Sequence, residues 1–393
     1  MQSAFDVIVI GKGMMGVAAA RHLALAGARV ALIGPDEPRD WAAHPGVFAS
    51  HYDNGRITRT IDPSADWARL ARRSIERYGE IESRSGIRFY TEAGCLILAR
   101  EEEDRLAAAK RAADALDVAT EHLSPYALAE RFPALAFSAG DAGLYEASGA
   151  GHINPRAFVA ASLVCAVLLG VTVLSKEVRA VEDTSHGVTV EMIDGTTLLG
   201  GKALVATGAF ALQPRLTGVP LDLSVFGRTV VFAEIGPDDA ARLAAMPSLI
   251  RDAAREADSY YLLPPIVYPD GRTYLKIGGD PTDRALADEG AIRAWFRSGG
   301  DDAAAAHMAR HLSALLPDLR PVSLHHAPCA VTKTVHDLPY IGFPTSPRIA
   351  VLTGGNGKAA KSADEIGRLG AVMVEKGTLA GEGYSGDFSP VVR

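Results

Sequence analysis

Three glycines in the run Gly11-Lys12-Gly13-Met14-Met15-Gly16 have the types and spacing to cradle a dinucleotide. They follow the β-branched run Phe5-Asp6-Val7-Ile8-Val9-Ile10 directly, which reads as a buried strand. Gly11 permits a tight turn, Gly13 lets backbone approach a pyrophosphate, and Gly16 lets a helix pack on the strand. After Gly16, residues 17–26 have helix-forming composition and end at Gly27. The N-terminus of this helix, with Met14 and Met15 in the turn before it, offers N–H groups and a partial positive charge to phosphates. The motif leaves NAD and FAD both open. A ribose-binding acid is expected roughly 20 residues on, but the second strand, Ala28-Arg29-Val30-Ala31-Leu32-Ile33, ends at Gly34. Asp36 or Glu37 either reaches around from the following turn or is an ordinary turn acid.

Four other places carry reactive side chains. Ser50-His51-Tyr52-Asp53-Asn54-Gly55-Arg56-Ile57-Thr58-Arg59 holds two arginines, and a guanidinium binds a carboxylate bidentately. The alternative is that both are surface residues after a loop. Its Ser-His pair lacks the Gly-x-Ser-x-Gly elbow of a hydrolase. Lys276 interrupts the apolar strand Tyr274-Leu275-Lys276-Ile277-Gly278, where a lysine needs a partner or a cavity. Cys329 is either a buried inert thiol or a thiolate favoured by cations, with His325, His326 and Lys333 the nearest in sequence. Finally, Ile349-Ala350-Val351-Leu352-Thr353 enters Gly354-Gly355-Asn356-Gly357 and a helix over 359–375, placing Lys358 and Lys361 beside a second helix N-terminus.

These residues need a large α/β scaffold to bring them together. The chain has 393 residues, 48% hydrophobic and 22% charged, enough for two domains or one large unit. A net charge of −7 without a basic run argues against nucleic acid. The cysteines Cys95, Cys165 and Cys329 are too far apart for a disulfide framework or a metal site. No signal peptide precedes the first strand, so a cytoplasmic protein is expected. Residues 157–174 carry no charge, but Gly170 divides them into a helix too short to span a membrane and a strand. So apolar a helix would also suit a subunit interface. Helices are further expected over 64–85, 101–116 and 301–316. Strands are expected over 89–100, 229–235, 259–263 and 273–277, with a hairpin from 187–192 across Gly195. A strand over 202–206 runs into a small-residue turn at Gly208.

This arrangement resembles the D-amino-acid-oxidase superfamily of FAD proteins, and in particular the monomeric sarcosine oxidases, N-methyl amino acid oxidases and fructosyl amine oxidases. The resemblance covers essentially the whole chain. It implies a Rossmann-type FAD-binding domain from residues 1–88, 148–222 and 327–393, with an antiparallel-sheet substrate domain from 89–147 and 223–326. The Ser-His-x-x-x-x-Arg-Ile-x-Arg pattern puts Ser50, His51 and Arg56 beside the flavin and gives Arg59 the substrate carboxylate. Lys361, seven residues after Gly354, shares that carboxylate. Lys276 matches a lysine that promotes reaction of reduced flavin with oxygen, and Tyr261 matches an active-site tyrosine. Cys329-Ala330-Val331-Thr332-Lys333-Thr334 resembles the segment whose cysteine forms a thioether with the flavin. Gly208, Gly354, Gly355, Asn356, Gly357 and Lys358 complete the expected cofactor contacts. Tyr52, Asp280 and Lys358 each stand where the family has histidine, so the pocket differs from the sarcosine one. Asp280 would suit a distal cationic group.

The resemblance therefore implies an FAD-dependent amine oxidase, monomeric or a small homo-oligomer. It would act on an amino acid with a secondary amine, forming an imine and reducing O2 to H2O2. The alternatives are a dehydrogenase passing electrons to a quinone or carrier, a non-catalytic flavin-binding protein, and an NAD-linked dehydrogenase sharing only the fingerprint.

Overall fold

The computed structural model describes residues 5–101 and 104–393. Its first sheet has eight strands, with the central strand Phe5–Ile10 paired in parallel to both Val30–Ile33 and Thr197–Val205. Thr172–Leu174 and Ile349–Thr353 extend the parallel part on either side. The expected hairpin is present, Gly187–Met192 running antiparallel to Thr197–Val205. Covered on both faces, these strands are continuous apolar runs rather than alternating ones, and Ile8, Val9, Leu32 and Val351 are fully buried.

Helices Met14–Leu25, Ala65–Ser85, Pro155–Leu168 and Ala363–Lys376 pack together on one face of this sheet. Local chemistry starts and stops them. The Ser64 hydroxyl accepts from Trp67 N, Asn154 caps the helix that Pro155 opens, and Gly377 closes the last helix in a left-handed conformation. Helix Pro155–Leu168 and the short strand Thr172–Leu174 account for the uncharged stretch, and no helix among the described residues is long and apolar enough to cross a membrane. Leu168 on that helix is 72% exposed.

The second sheet has nine strands, mostly antiparallel, including Leu223–Glu234, Tyr260–Val267, Thr273–Gly278 and Ser323–Thr334. Helix Asp302–Leu315 covers it, with Asp301 as N-cap. Ser323–Thr334 crosses position 326/327 and pairs along its whole length with Leu223–Glu234, so Cys329 lies in this sheet. A small third sheet joins Arg56–Thr58, Tyr90–Glu92 and Gly151–Ile153.

Three expectations are corrected. Residues 89–100 form two strands in different sheets, Tyr90–Glu92 and Cys95–Arg100, because the chain turns at Gly94 (φ +73°) where a Cβ would meet the Tyr145 ring. The helix expected over 101–116 is Arg105–Asp114, and Glu102 and Glu103 lie outside the described residues. The helix expected from 359 begins with a 3-10 turn, Ala359–Ser362, which bends Lys361 inward before the α-helix starts.

An ion network ties the helical layer together. Asp364, fully buried, takes Arg21 and Arg77, while Glu365 takes Arg77 (2.6 Å), Arg368 (2.8 Å) and the Tyr384 hydroxyl (2.8 Å). Burial opposes the charged form of Asp364, but His22, Arg21 and Arg77 outweigh it and hold the carboxyl well below its usual value. Its stabilisation is therefore complete above the ordinary value of 3.8 and is lost as pH falls through the depressed folded value. Asp364→Ala is expected to cost about 3–5 kcal/mol at pH 7 by leaving the buried Arg21 guanidinium without a carboxylate and Arg77 with Glu365 alone. Urea unfolding of the holoprotein checks this, and an unchanged midpoint would show the network to be dispensable.

Candidate active site

A cavity of about 760 Å³ runs between the first and second sheets. At one end the glycine loop forms its wall, with Gly11, Lys12, Gly13, Met14 and Met15 all lining it. Gly11 has φ +113°, and a Cβ there would sit 2.3 Å from the Ala206 carbonyl oxygen. At Gly16 a Cβ would fall 1.8 Å from the Gly11 carbonyl oxygen, so Gly16 closes the loop from behind rather than lining the cavity. Gly13 is the N-cap of Met14–Leu25 and brings no side chain to cap it.

The missing ribose acid has a physical cause. A Cβ at position 34 would lie 2.6 Å from the Lys12 backbone nitrogen, so the loop packs onto Gly34 and leaves no room for a side chain. The Lys12 ammonium instead reaches Asp36 and Ser175. Asp36 is mostly exposed and does not line the cavity, and Glu37 is taken by Arg156 at 2.7–2.8 Å.

The middle of the cavity is lined by Ser50, His51, Tyr52, Thr207 and Gly208. Tyr52 is buried edge-on against His51 (centroids 4.7 Å) and Trp41 (5.6 Å). Burial, followed by the charges of Arg156, Lys12 and Arg56, pushes the His51 imidazole down to about 3, so it is neutral. His51 Nδ1 and Thr207 Oγ1 are buried without a hydrogen-bond partner. Unpaired buried polar atoms on a cavity wall, together with a loop that a Cβ would block, fit a polar nucleotide cofactor.

At the far end, segment 53–62 presents two acid–arginine pairs. In the first, Asp53 pairs with Arg56 Nε (3.1 Å) and the Lys276 ammonium, and accepts from the Tyr268 hydroxyl (3.2 Å). Lys276 is fully buried, also donates to the Gly55 carbonyl (2.9 Å), and lies behind the cavity wall rather than on it. Burial and then Arg56 lower the Lys276 ammonium to about 8, against the raising effect of Asp53. Arg56 does line the cavity, with both terminal nitrogens 3.8 Å from Cys329 Sγ and one donating to the Ser50 carbonyl (2.9 Å). Arg56 is thus the cation beside the thiol. The sequence neighbours are engaged elsewhere: His325 stacks on Phe232, His326 faces Asp302, and Lys333 faces Asp283.

In the second pair, one Asp62 oxygen faces both Lys361 Nζ (2.9 Å) and Arg59 Nη2 (3.4 Å). All three residues line the cavity. Burial raises Asp62, but Lys361, Arg59 and Lys358 more than reverse this and bring it to about 2. Burial lowers Lys361 to about 8 despite Asp62. Cys329 and Tyr261 also line this end, with Tyr261 lying flat over Gly278, where a Cβ would meet its ring at 2.4 Å.

In the C-terminal turn, Gly355, Gly357 and Lys358 line the cavity, and Lys358 pairs with Asp337 at 3.0 Å. Gly354 and Asn356 do not. Asn356 turns its amide onto Thr334 N (3.0 Å) and the Gly354 carbonyl (2.8 Å), fixing the turn to the neighbouring strand. Asp280 lines the cavity, and its two oxygens accept from the backbone N–H groups of Thr229 (2.8 Å) and Thr282 (2.9 Å), so it also fixes a turn at the cavity wall. Sequence reading missed Asp53 and Asp62 as site residues. Their only local signal is the three-residue spacing to an arginine on either side of Ile57-Thr58.

The family model for FAD dependent oxidoreductases matches residues 6–373. A monomeric sarcosine oxidase from Streptomyces avermitilis is 29% identical over 97% of this chain and 96% of its own length. An N-methyl-L-tryptophan oxidase from Yersinia pestis is 25% identical over 55% of this chain and 57% of its own. Among solved structures, a Tyr-to-Phe mutant of NikD, an amino acid oxidase essential for nikkomycin biosynthesis, superposes with a TM-score of 0.78 at 20% identity, covering 100% of this chain and 98% of that one. An L-proline dehydrogenase from P. horikoshii gives 0.74 at 18% identity over 97% and 96%.

Gly34→Asp, which restores the usual acid, is expected to lower the flavin content of the purified protein, because its Cβ displaces the Lys12 backbone. Flavin absorbance per chain measures this, and a content equal to or above that of the parent would refute the packing argument.

Proposed function

Since the chain belongs to the family of FAD-dependent oxidoreductases, we propose that it oxidises the C–N bond of an amino acid bearing a secondary amine to an imine, reducing O2 to H2O2. We place it in the cytoplasm as a monomer or small homo-oligomer. The observation that carries the reading is the meeting of Arg59 and Lys361, 302 positions apart in sequence, on one wall of the cavity that also holds the glycine loop.

FAD would be held by the backbone of Gly11, Gly13, Met14 and Met15 at its phosphates. His51, Thr207, Arg56 and the turn at Gly355, Gly357 and Lys358 would hold the rest. Bound FAD supplies an acceptor for a hydride equivalent from the carbon beside nitrogen and passes two electrons on to oxygen. Arg59 and Lys361 bind the substrate carboxylate and so fix where the reacting carbon sits. Positioning of this kind supplies on the order of 7–11 kcal/mol in ideal cases. Arg59 and Lys361, with Asp62 between them, leave one net positive charge at the carboxylate end, which favours a substrate whose nitrogen is neutral. Lys276, behind the wall and paired with Asp53, adds with Arg56 one net positive charge near the cavity, which would stabilise negative charge developing on oxygen. Arg56 places a guanidinium 3.8 Å from Cys329 Sγ, the sulfur that would carry a thioether link to the flavin.

A dehydrogenase is the second reading, favoured by one observation: Asp53 holds Lys276 behind the wall and offsets its charge.

Anaerobic addition of secondary-amine amino acids is expected to bleach the flavin, and admission of air to restore it with one H2O2 formed per O2 consumed. Restoration only by a quinone or other carrier would select the dehydrogenase, and absence of bleaching by any amine would remove both readings. On acid precipitation the parent is expected to retain its flavin in the pellet and Cys329→Ser to release it. Release from both would exclude the covalent link.

A further inference from the structure

The clamp formed by Arg59 and Lys361 contains a carboxylate of its own. Asp62 is fully buried and lines the cavity between the two cations. Its Oδ2 faces Lys361 Nζ at 2.9 Å and Arg59 Nη2 at 3.4 Å, and its Oδ1 accepts from Ser64 N at 3.1 Å. That last bond anchors it to the start of helix Ala65–Ser85, so it cannot swing out with either partner. Arg59 Nε is meanwhile buried with no partner. An unpartnered guanidinium donor is costly in a dry site unless a ligand completes it. Segment 59–62 is itself fixed, since Thr60 N and Ile61 N both donate to the buried Glu146 carboxylate.

Resting on the amine-oxidase reading, we propose that Asp62 is the positioning residue of the substrate clamp. It keeps Lys361 an ammonium, holds the Arg59 guanidinium through Nη2, and leaves the pair one net positive charge, which a single carboxylate neutralises. Two bare cations so close together in a buried site would repel, and the lysine would shed its proton first. A carboxylate between them removes that outcome. It also sets the charge of the accepted group: a monoanion balances the clamp.

The groups facing Lys361 bear on its titration. Arg59 and Asp62 come from one segment and Lys358 from its own turn. Cys95 faces it from strand Cys95–Arg100, and the Tyr78 hydroxyl from helix Ala65–Ser85 contacts its carbonyl. Of these only Asp62 favours the ammonium. With Asp62 present, Lys361 titrates near 8. Affinity for a simple carboxylate therefore falls as pH rises through about 8, and removing Asp62 moves that fall to lower pH.

The probe is acetate, which carries no amine, read by its perturbation of the flavin spectrum of the holoprotein between pH 6 and 9. For Asp62→Asn the descending limb is expected to shift down by about one pH unit or more, giving binding at least about threefold weaker at pH 7.5. Asp62→Glu, which keeps the charge but moves the oxygen, is expected to retain the parental limb with about tenfold weaker binding throughout. An unshifted limb in Asp62→Asn overturns the proposal. Should that variant not fold, undiminished affinity in Asp62→Glu overturns it instead. If acetate fails to bind the parent, or binds Arg59→Ala equally well, the reading of this end as a carboxylate site fails. That result is distinct from a clamp that binds acetate without help from Asp62.

Discussion

Two buried lysines, each held by an aspartate from one short stretch of chain, are the constraint around which the site is built. Asp53 holds Lys276 and Asp62 holds Lys361, and each aspartate also pairs with an arginine three residues away. Taking a charge into a protein interior costs several kcal/mol per ion even after relaxation, so neither lysine could be fully buried alone. Segment 53–62 must therefore reach the strand carrying Lys276 and the turn carrying Lys361 at once. It does so wedged between the two large sheets, with Arg56–Thr58 paired to Gly151–Ile153 and the Thr58 hydroxyl 3.2 Å from Tyr78. The cationic wall of the cavity and the junction of the sheets are thus one structure. A charge removed from the site is also a charge removed from that junction.

The nucleotide end obeys a steric constraint instead. Gly11, Gly16 and Gly34 are each the only residue type the local packing admits, because a Cβ at any of them would fall within 2.6 Å of a backbone atom. Gly34 costs the loop its customary ribose partner, and Lys12 occupies the space with a bridge to Asp36 and Ser175. At this end the loop offers backbone groups rather than a ribose-binding carboxylate.

Much of this was legible in the sequence where the information is local. The strand–glycine loop–helix at 5–25 announces itself because all its determinants are adjacent, and the break at Gly170 correctly separates a helix from a strand. Arg59 and Lys361 became a pair only through the family resemblance, since nothing local links positions so far apart. The absence of an acid at Gly34 was plain, but its cause, the Lys12 backbone, is a tertiary contact. Asp53 and Asp62 were unreadable for a similar reason. An acid three residues from an arginine looks like a surface ion pair, and only burial against a distant lysine changes its meaning. Asn356 departs in the opposite direction, because a residue near the site by sequence is already committed to Thr334 N and the Gly354 carbonyl.

The same charges bear on the choice of electron acceptor. Asp53, Arg56 and Lys276 together carry one net positive charge, and Arg56 is the member on the cavity wall. A cation promotes electron transfer to oxygen by stabilising the negative charge that forms there, and its effect falls with distance and with any anion alongside it. Lys276 has Asp53 alongside it, fixed further by the Tyr268 hydroxyl, so its field at the cavity is that of a partly neutralised pair. Arg56 is placed to supply what the lysine withholds, being closer to the cavity and sharing the same aspartate. In the proposed oxidase, oxygen reactivity would belong to the triad rather than to Lys276 alone, with Asp53 dividing one negative charge between two cations.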